Sequence, residues 1–375
     1  EYCSNNCEIK KVSLPNSQPL FYGSRCDRYN ISRARKHKET AAAFEFRNQM
    51  LRKFARLDGQ TVFERKEKIG IPLALTNWQY LPLFSVFLQK LGFEPYVTQS
   101  TNRLTIKKGI EAVTAEQCFP VKVAFGHIAE LIEQNVDYIF LPSIVSLSNL
   151  FETNQTSKLC PYVQSLPYQA KAAFAGRLGQ TKILSPVIRL GDGEKELLKS
   201  FTKAAKELNA DISLVKLAVE EALAAQKNFE DSLILKGREI LSSAGDNGRL
   251  FVLIGRPYNS CDGQINLQLA DKLSAMGIDV LPLDMLPLSE APIGDKNLHS
   301  GIYWGLGQKI LRAAEIIKND KRLFAVYLSN FSCGPDSFLE TFFRAVLADK
   351  PSLFLELDEH SADAGLVTRL EAFVD

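Results

Sequence analysis

No stretch of roughly 18 residues runs free of polar breaks, so no membrane-spanning helix is expected. Neither sign of charge dominates: 45 Lys and Arg stand against 43 Asp and Glu, a formal net charge of +2. That balance gives no electrostatic case for nucleic acid or an anionic membrane as partner. The opening EYCSNNCEIKK has neither an initiator Met nor a signal-peptide hydrophobic region. LVTRLEAFVD stops without a closing signal, and both ends read as cut from a longer polypeptide. Local CxxC pairs are missing too, which excludes a zinc ribbon or a ferredoxin motif. GRPYNSCDGQIN (255–266) bears glycine but neither the GxGxxG nor the P-loop spacing.

What is there is an ordinary globular balance over 375 residues, 46% apolar and 23% charged, enough for more than one core. Seven cysteines are an odd number in a chain too large to need staples. Reduced thiols in a cytoplasmic protein suit them better than a disulfide framework.

The chain divides by style. Residues 1–30 form a small polar segment holding Cys3, Cys7 and Cys26. Residues 31–65 carry the densest basic run, RARKHKETAAAFEFRNQMLRKFARLDG, which reads as a solvated helical linker. Residues 66–180 and 249–375 share one grammar. IGIPLAL (69–75), LPLFSVFLQKLGF (81–93) and EPYVTQS read as strand, helix and strand, with Gly92 closing the helix. RLFVLIGRPY (249–258), INLQLADKLSAMG (265–277) and IDVLPLD (278–284) repeat the order, with Gly277 in the equivalent place. Between them, 181–248 reads as connecting strand and long amphipathic helices. The pattern predicts an α/β fold of two Rossmann-like parallel-sheet domains behind a small Cys-bearing N-terminal segment.

Three more cysteines fall near the ends of expected elements. Cys118 lies just ahead of Pro120 in the first turn of a long helix, which is followed by the strand VDYIFLPSI (136–144). Cys160, in KLCPYVQSLP, enters a short β-like run. Cys333 follows the strand RLFAVYLSNF and precedes a helix over 336–348. Open α/β sheets bind ligands beyond the carboxyl ends of their strands, where Cys333 belongs. A helix start favours a thiolate, and thiolates suit iron–sulfur clusters, zinc or copper(I). The bland alternative is that each thiol is a small buried hydrophobe. Cys3, Cys7 and Cys26 form a separate trio that suits a metal-stapled knuckle with an incomplete ligand set. His127 faces away from Cys118 on its helix, so no Cys–His dyad is expected. His360, among Asp358, Glu359 and Asp363, marks either a metal or acid–base site or a wet charged loop. Arg256 and Tyr258 stand at a strand's carboxyl end, placed to contact a ligand.

Taken together, GIPLALTNWQYLPLFSVFLQKLGFEP, AEQCFPVKVAFGHIAELIEQNVDYIFLPSI, CPYVQSLP, GRPYN, YWGLGQKILRAAE, AVYLSNFSCGPDSF and LELDEHSADAG closely resemble one family. It is the region downstream of the ATPase modules in large CoA-substrate-specific enzyme activase-like proteins. That region is related to the 2-hydroxyacyl-CoA dehydratase and benzoyl-CoA reductase systems. CSNNC…YGSRC resembles the cysteine-bearing joint preceding it. The resemblance implies that Cys118, Cys160 and Cys333, one from each of three separated loops, hold a [4Fe–4S] cluster that accepts a low-potential electron from an ATP-driven activator. A fourth position would fall to water, substrate, a bridging group or Cys261, and Cys261 departs from the usual residues after GRPY. The ATPase modules are not in this sequence, so the activator would be part of the same longer chain or a separate protein. The resemblance implies a CoA thioester or another small molecule as substrate. The chain would then catalyse its dehydration or reduction, or serve the activating system. A two-domain binding or docking module without a cluster is the competing expectation, and a structural zinc site at the N-terminal trio is a third.

Overall fold

The computed structural model describes residues 8–13, 20–22, 42–59, 63, 65–148, 156–292, 294, 295, 299, 301–361 and 363–375. Cys3, Cys7 and Cys26 lie outside the described residues, and with them the expected N-terminal metal site.

An antiparallel pair, β1 (Lys10–Val12) and β2 (Leu20–Tyr22), precedes helix α1 (Ala42–Phe54). Next come β3 (Lys68–Ile71), α2 (Asn77–Lys90), β4 (Glu94–Val97), α3 (Arg103–Ala112), α4 (Phe119–Glu133), β5 (Tyr138–Phe140) and β6 (Ser143–Ser146). The first half closes with α5 (Pro161–Ala173), β7 (Lys182–Leu184), β8 (Val187–Arg189), α6 (Glu194–Glu207) and the long α7 (Val215–Ser243). The second half contains β9 (Leu250–Ile254), the short α8 (Pro257–Ser260), α9 (Leu269–Ala275), β10 (Asp279–Pro282) and α10 (Gly305–Asn319). It ends with β11 (Leu323–Asn330), α11 (Gly334–Leu347), β12 (Ser352–Leu357) and α12 (Asp363–Val374).

Two four-stranded sheets carry the same plan. The first runs β4-β3-β5-β7 and the second β10-β9-β11-β12, every neighbour parallel. In each, the second strand pairs outside the first, and the third and fourth add on its other side. β6 and β8 form a further short parallel pair. The expected α/β class with two Rossmann-like sheets is therefore what the chain builds. β9 shows why its sheet is wet on neither face. Leu250, Val252 and Ile254 enter the core shared with the first half, while Phe251 and Leu253 enter a second cluster with Leu269, Val280, Val326 and Leu370. Alternate residues leave opposite faces of a strand, so two buried faces demand an unbroken apolar run. Among the described residues, no helix is long and apolar enough to cross a membrane.

Several local expectations need correction. Cys160 does not enter a β-like run: Pro161–Ala173 is a helix with Cys160 at its N-cap. Pro161 costs nothing there, since a first-turn N–H has no helical partner to lose. VDYIFLPSI is two strands parted at Leu141 and Pro142. The helix expected over 265–277 begins only at Leu269, after Leu267 and Gln268 take left-handed conformations (φ 56° and 55°). Asp262 and Asn266 side chains capture the backbone N–H groups of Gln264, Ile265 and Leu269, so local turns win over the helix. The basic run is not simply solvated. Arg47 is 0% exposed and bonded through Nε to Asp284 Oδ2 (2.9 Å) and through Nη2 to the Trp78 carbonyl (2.8 Å).

Candidate functional site

In each sheet the strand order reverses between the first and third strands, and such a switch point opens a crevice beyond the carboxyl ends. In the second sheet that crevice lies between the ends of β9 and β11. β9 delivers Arg256 and Tyr258 to it. β11 delivers the turn 331–333, where Ser332 holds a left-handed φ of 63° and Cys333 caps α11. A serine in that region is strained backbone, tolerated where the surroundings over-determine it. A second crevice of similar size, at the first sheet's switch point, is lined by Thr76, Asn77, Leu141 and Pro142 among others.

Three cysteines share one local design. Cys118, Cys160 and Cys333 are the N-caps of α4, α5 and α11, and each is followed by proline at N1 or N2. Proline starts a helix readily, and the cap residue's extended backbone turns its side chain off the axis. All three are partly buried free thiols. As thiolates all three would act on one group, the hydroxyl of Tyr258, which also feels Arg256. Burial raises Tyr258 well above the ordinary range, with Arg256 opposing and the cysteines reinforcing. Burial likewise pushes the Cys118 thiol up to about 11, with Cys160 adding to the rise and Arg256 opposing it. Burial pushes Cys333 up to about 12, again against the pull of Arg256. Cys160 lies beside Arg256 and Tyr258, and Cys118 and Cys333 act on the same Tyr258.

Arg256 is the cation of this neighbourhood. It is 4% exposed, and its Nη1 donates to Asp336 Oδ2 at 2.5 Å. Asp336 is 1% exposed and also accepts from Tyr327 Oη and Ser329 Oγ, each at 3.1 Å. Burial disfavours the guanidinium charge, but Asp336, Cys333 and Tyr258 more than offset it, so Arg256 stays charged. Asp336 stands in the first turn of α11, so the ion pair ties the helix carrying Cys333 to the end of β9. A cleft of about 10 Å³ remains, with Cys160, Arg256, Tyr258, Trp304, Gly307 and Pro335 among its walls. That is room for about one water. Its Trp304 wall has two aromatic neighbours, Tyr303 at 4.4 Å and the 63% exposed Phe338 at 6.2 Å, both at tilted ring angles.

The remaining candidates go elsewhere. Cys261 is buried beside Ser260, with Arg47, Asp284 and Asp262 as its charged neighbours. Burial holds its thiol up at about 12. His127 is 0% exposed and bonded at Nδ1 to Thr98 and at Nε2 to Thr101. The loop of His360 is a turn in which Asp358 accepts from the His360 N–H and from Ser361 Oγ. Glu359 leaves that loop to meet Lys122 at 2.5 Å. Among the described residues, no three His, Cys, Asp or Glu side chains converge closely enough to hold a single metal ion.

Sequence reasoning missed Asp336 as the brace of Arg256, and it missed Thr98, Thr101 and Asp262. An acidic residue in the first turn after Cys333 was the available signal for Asp336. The other three carried none.

Comparison with known proteins adds a family. Residues 68–286 match the family described as CoA enzyme activase uncharacterised domain (DUF2229). No curated protein is matched by the chain. The solved structure of ZnuA aligns with 82% of this chain and 96% of its own at 13% identity and a TM-score of 0.22. An FpvC mutant from Pseudomonas aeruginosa aligns over 82% and 96% at 12% identity and a TM-score of 0.23. Overlaps that loose carry no argument.

Proposed function

The chain belongs to the family of CoA enzyme activase uncharacterised domains, and from that premise we propose that it is the iron–sulfur redox module of an activase or 2-hydroxyacyl-CoA dehydratase-like system. In this reading Cys118, Cys160 and Cys333 hold a [4Fe–4S] cluster. An ATP-driven activator, in the same longer chain or a separate protein, supplies the electron, and a CoA thioester or related small molecule receives it in the cytoplasm. The observation that carries the reading is the matched placement of these three thiols, each at a helix N-cap ahead of proline and all within electrostatic reach of Tyr258.

The donor set fits the group. Thiolates are the ligands of iron–sulfur clusters, and each would bind its own iron, so the thiols ring a site rather than converge on one ion. Bound there, the cluster would supply one-electron chemistry at low potential. The chain's own residues do the rest. The first-turn N–H groups of α4, α5 and α11 offset negative charge on the sulfurs. Burial keeps the Cys118 and Cys333 thiols protonated at neutral pH, so loading releases protons. Because the cleft has room for about one water, loading also requires the half-buried thiol side chains to turn apart.

The test is iron and acid-labile sulfide content after anaerobic purification, for wild type and for Cys118→Ala, Cys160→Ala and Cys333→Ala. Near-stoichiometric iron in wild type, lost in all three variants, is the expected result. Iron missing from wild type even after reconstitution would sink the cluster and leave the second reading, a docking module, which the narrowness of the cleft favours.

A further inference from the structure

Arg256 is buried at 4% exposure yet spends only one side-chain hydrogen bond, Nη1 to Asp336, among the described residues. Its Nε and Nη2 groups have no protein partner there, and the side chain lines the same cleft as Cys160, Tyr258 and Pro335. An arginine committed wholly to an ion pair would present its fork to both carboxylate oxygens. Here Asp336 Oδ1 is taken by Tyr327 instead, and Oδ2 is shared with Ser329. The carboxylate is thereby fixed by three donors, and the guanidinium is aimed but not saturated. The side chain lines the cleft, where an anion would give those N–H groups charge-assisted hydrogen bonds.

We infer that Arg256 is the anion-receiving residue of this cleft: braced by Asp336, it holds the negative charge of whatever lies between the thiols of Cys160 and Cys333. The shared chemistry is delocalised negative charge, and it has two sources, the proposed cluster or a small free carboxylate. Only the first source rests on the cluster reading. Lys158 also lines the cleft, but it is only half-buried and water screens its charge.

The experiment uses the reduced, iron-free full chain and compares alkylation of Cys160 and Cys333 by anionic iodoacetate and neutral iodoacetamide, read peptide by peptide. Both reagents need the thiolate, so their rate ratio reports the local field and not the thiol's ionisation. Arg256→Gln is expected to lower the iodoacetate preference about tenfold, the size of one charge a few ångströms away in a partly wet site. Because Arg256→Gln strands Asp336, the double variant Arg256→Gln/Asp336→Asn keeps the fold neutral and should show a loss relative to Asp336→Asn. Asp336→Asn alone should keep or raise the preference, since it removes a negative charge that also acts on Cys333. A ratio unchanged in both Arg256 variants, or abolished by Lys158→Gln instead, overturns the inference. Acetate that slows iodoacetate in wild type but not in Arg256→Gln identifies a free carboxylate as the occupant. In iron-loaded protein, a midpoint potential lowered by Arg256→Gln at unchanged iron content identifies the cluster. Iron absent from wild type together with a lost preference in Arg256→Gln would sink the cluster and leave Arg256 in its role.

Discussion

A histidine with both ring nitrogens bonded and no exposure, His127, sets much of the chain's response to acid. Leu73 N–H donates to Thr98 Oγ1 at 2.8 Å, and Thr101 Oγ1 donates to Asp262 Oδ2 at 2.5 Å. Each hydroxyl has one proton, so Thr98 donates to Nδ1 (2.7 Å) and Nε2–H donates to Thr101 (3.0 Å). Burial lowers the His127 pKa from 6.5 to about 3, so the ring stays neutral. The unfolded chain takes up that proton first, so stability present above pH 6.5 is lost as pH falls toward 3. Asp262 opposes this. Burial raises it from 3.8 to about 6, so its contribution is present below 3.8 and lost as pH rises through 6. Urea midpoints across this range should fall more steeply with acid in wild type than in His127→Gln, which keeps Asp262. Equal slopes would mean that His127 takes up its proton over the same pH range in the folded and the unfolded chain.

At the scale of elements, α4 carries Cys118 into place because α3 lies almost against its backbone. A Cβ on Gly126 would stand 1.9 Å from the Thr105 carbonyl oxygen, and one on Gly109 would stand 2.0 Å from that of Lys122. Neither neighbour is a flexible side-chain tip, so the helices would have to part. Gly126→Ala should therefore cost about 3 kcal/mol by thermal or urea denaturation. Whatever iron the wild type holds should fall with it, since the start of α4 moves. Gly176→Ala, with nothing within 4 Å of the added carbon, is the control and should be close to neutral.

For the molecule as a whole, the two halves are fused rather than hinged loosely. One core cluster contains Ile69 and Ile139 from the first sheet and Leu250 and Tyr327 from the second. Polar ties add to it. Lys122, 6% exposed, bridges Glu116 and Glu359; Thr101 meets Asp262; and Lys158 pairs with Trp304. Glu359→Gln leaves Lys122 only the exposed Glu116 and should cost about 2 kcal/mol. Hydrogen exchange at the turn 358–361 should quicken at the same time. If that turn exchanges as in wild type, the tie does not hold the halves together at this edge.

Some of this was written in local sequence. Gly92 and Gly277 end helical patterns and sit at φ 88° and 80°, as residues free of a Cβ clash can. Pro120 and Pro335 announced helix starts behind Cys118 and Cys333, and the twice-repeated alternation of periods gave the two parallel sheets. These features depend on neighbours within a few positions, so the chain declares them by itself. Cys160 misled because a short apolar stretch after proline fits a strand or a helix equally well, and packing against the first half decided for the helix. Arg47 read as solvated because a basic run carries no mark of which residue will meet the half-buried Asp284. The brace of Arg256 by Asp336 and the neighbourhood of Cys118, Cys160 and Cys333 join residues far apart along the chain. No local spacing encodes such distances. They exist because the fold brings the Cys160 loop against the strand ends of the second sheet, where burial selects which polar groups must find each other.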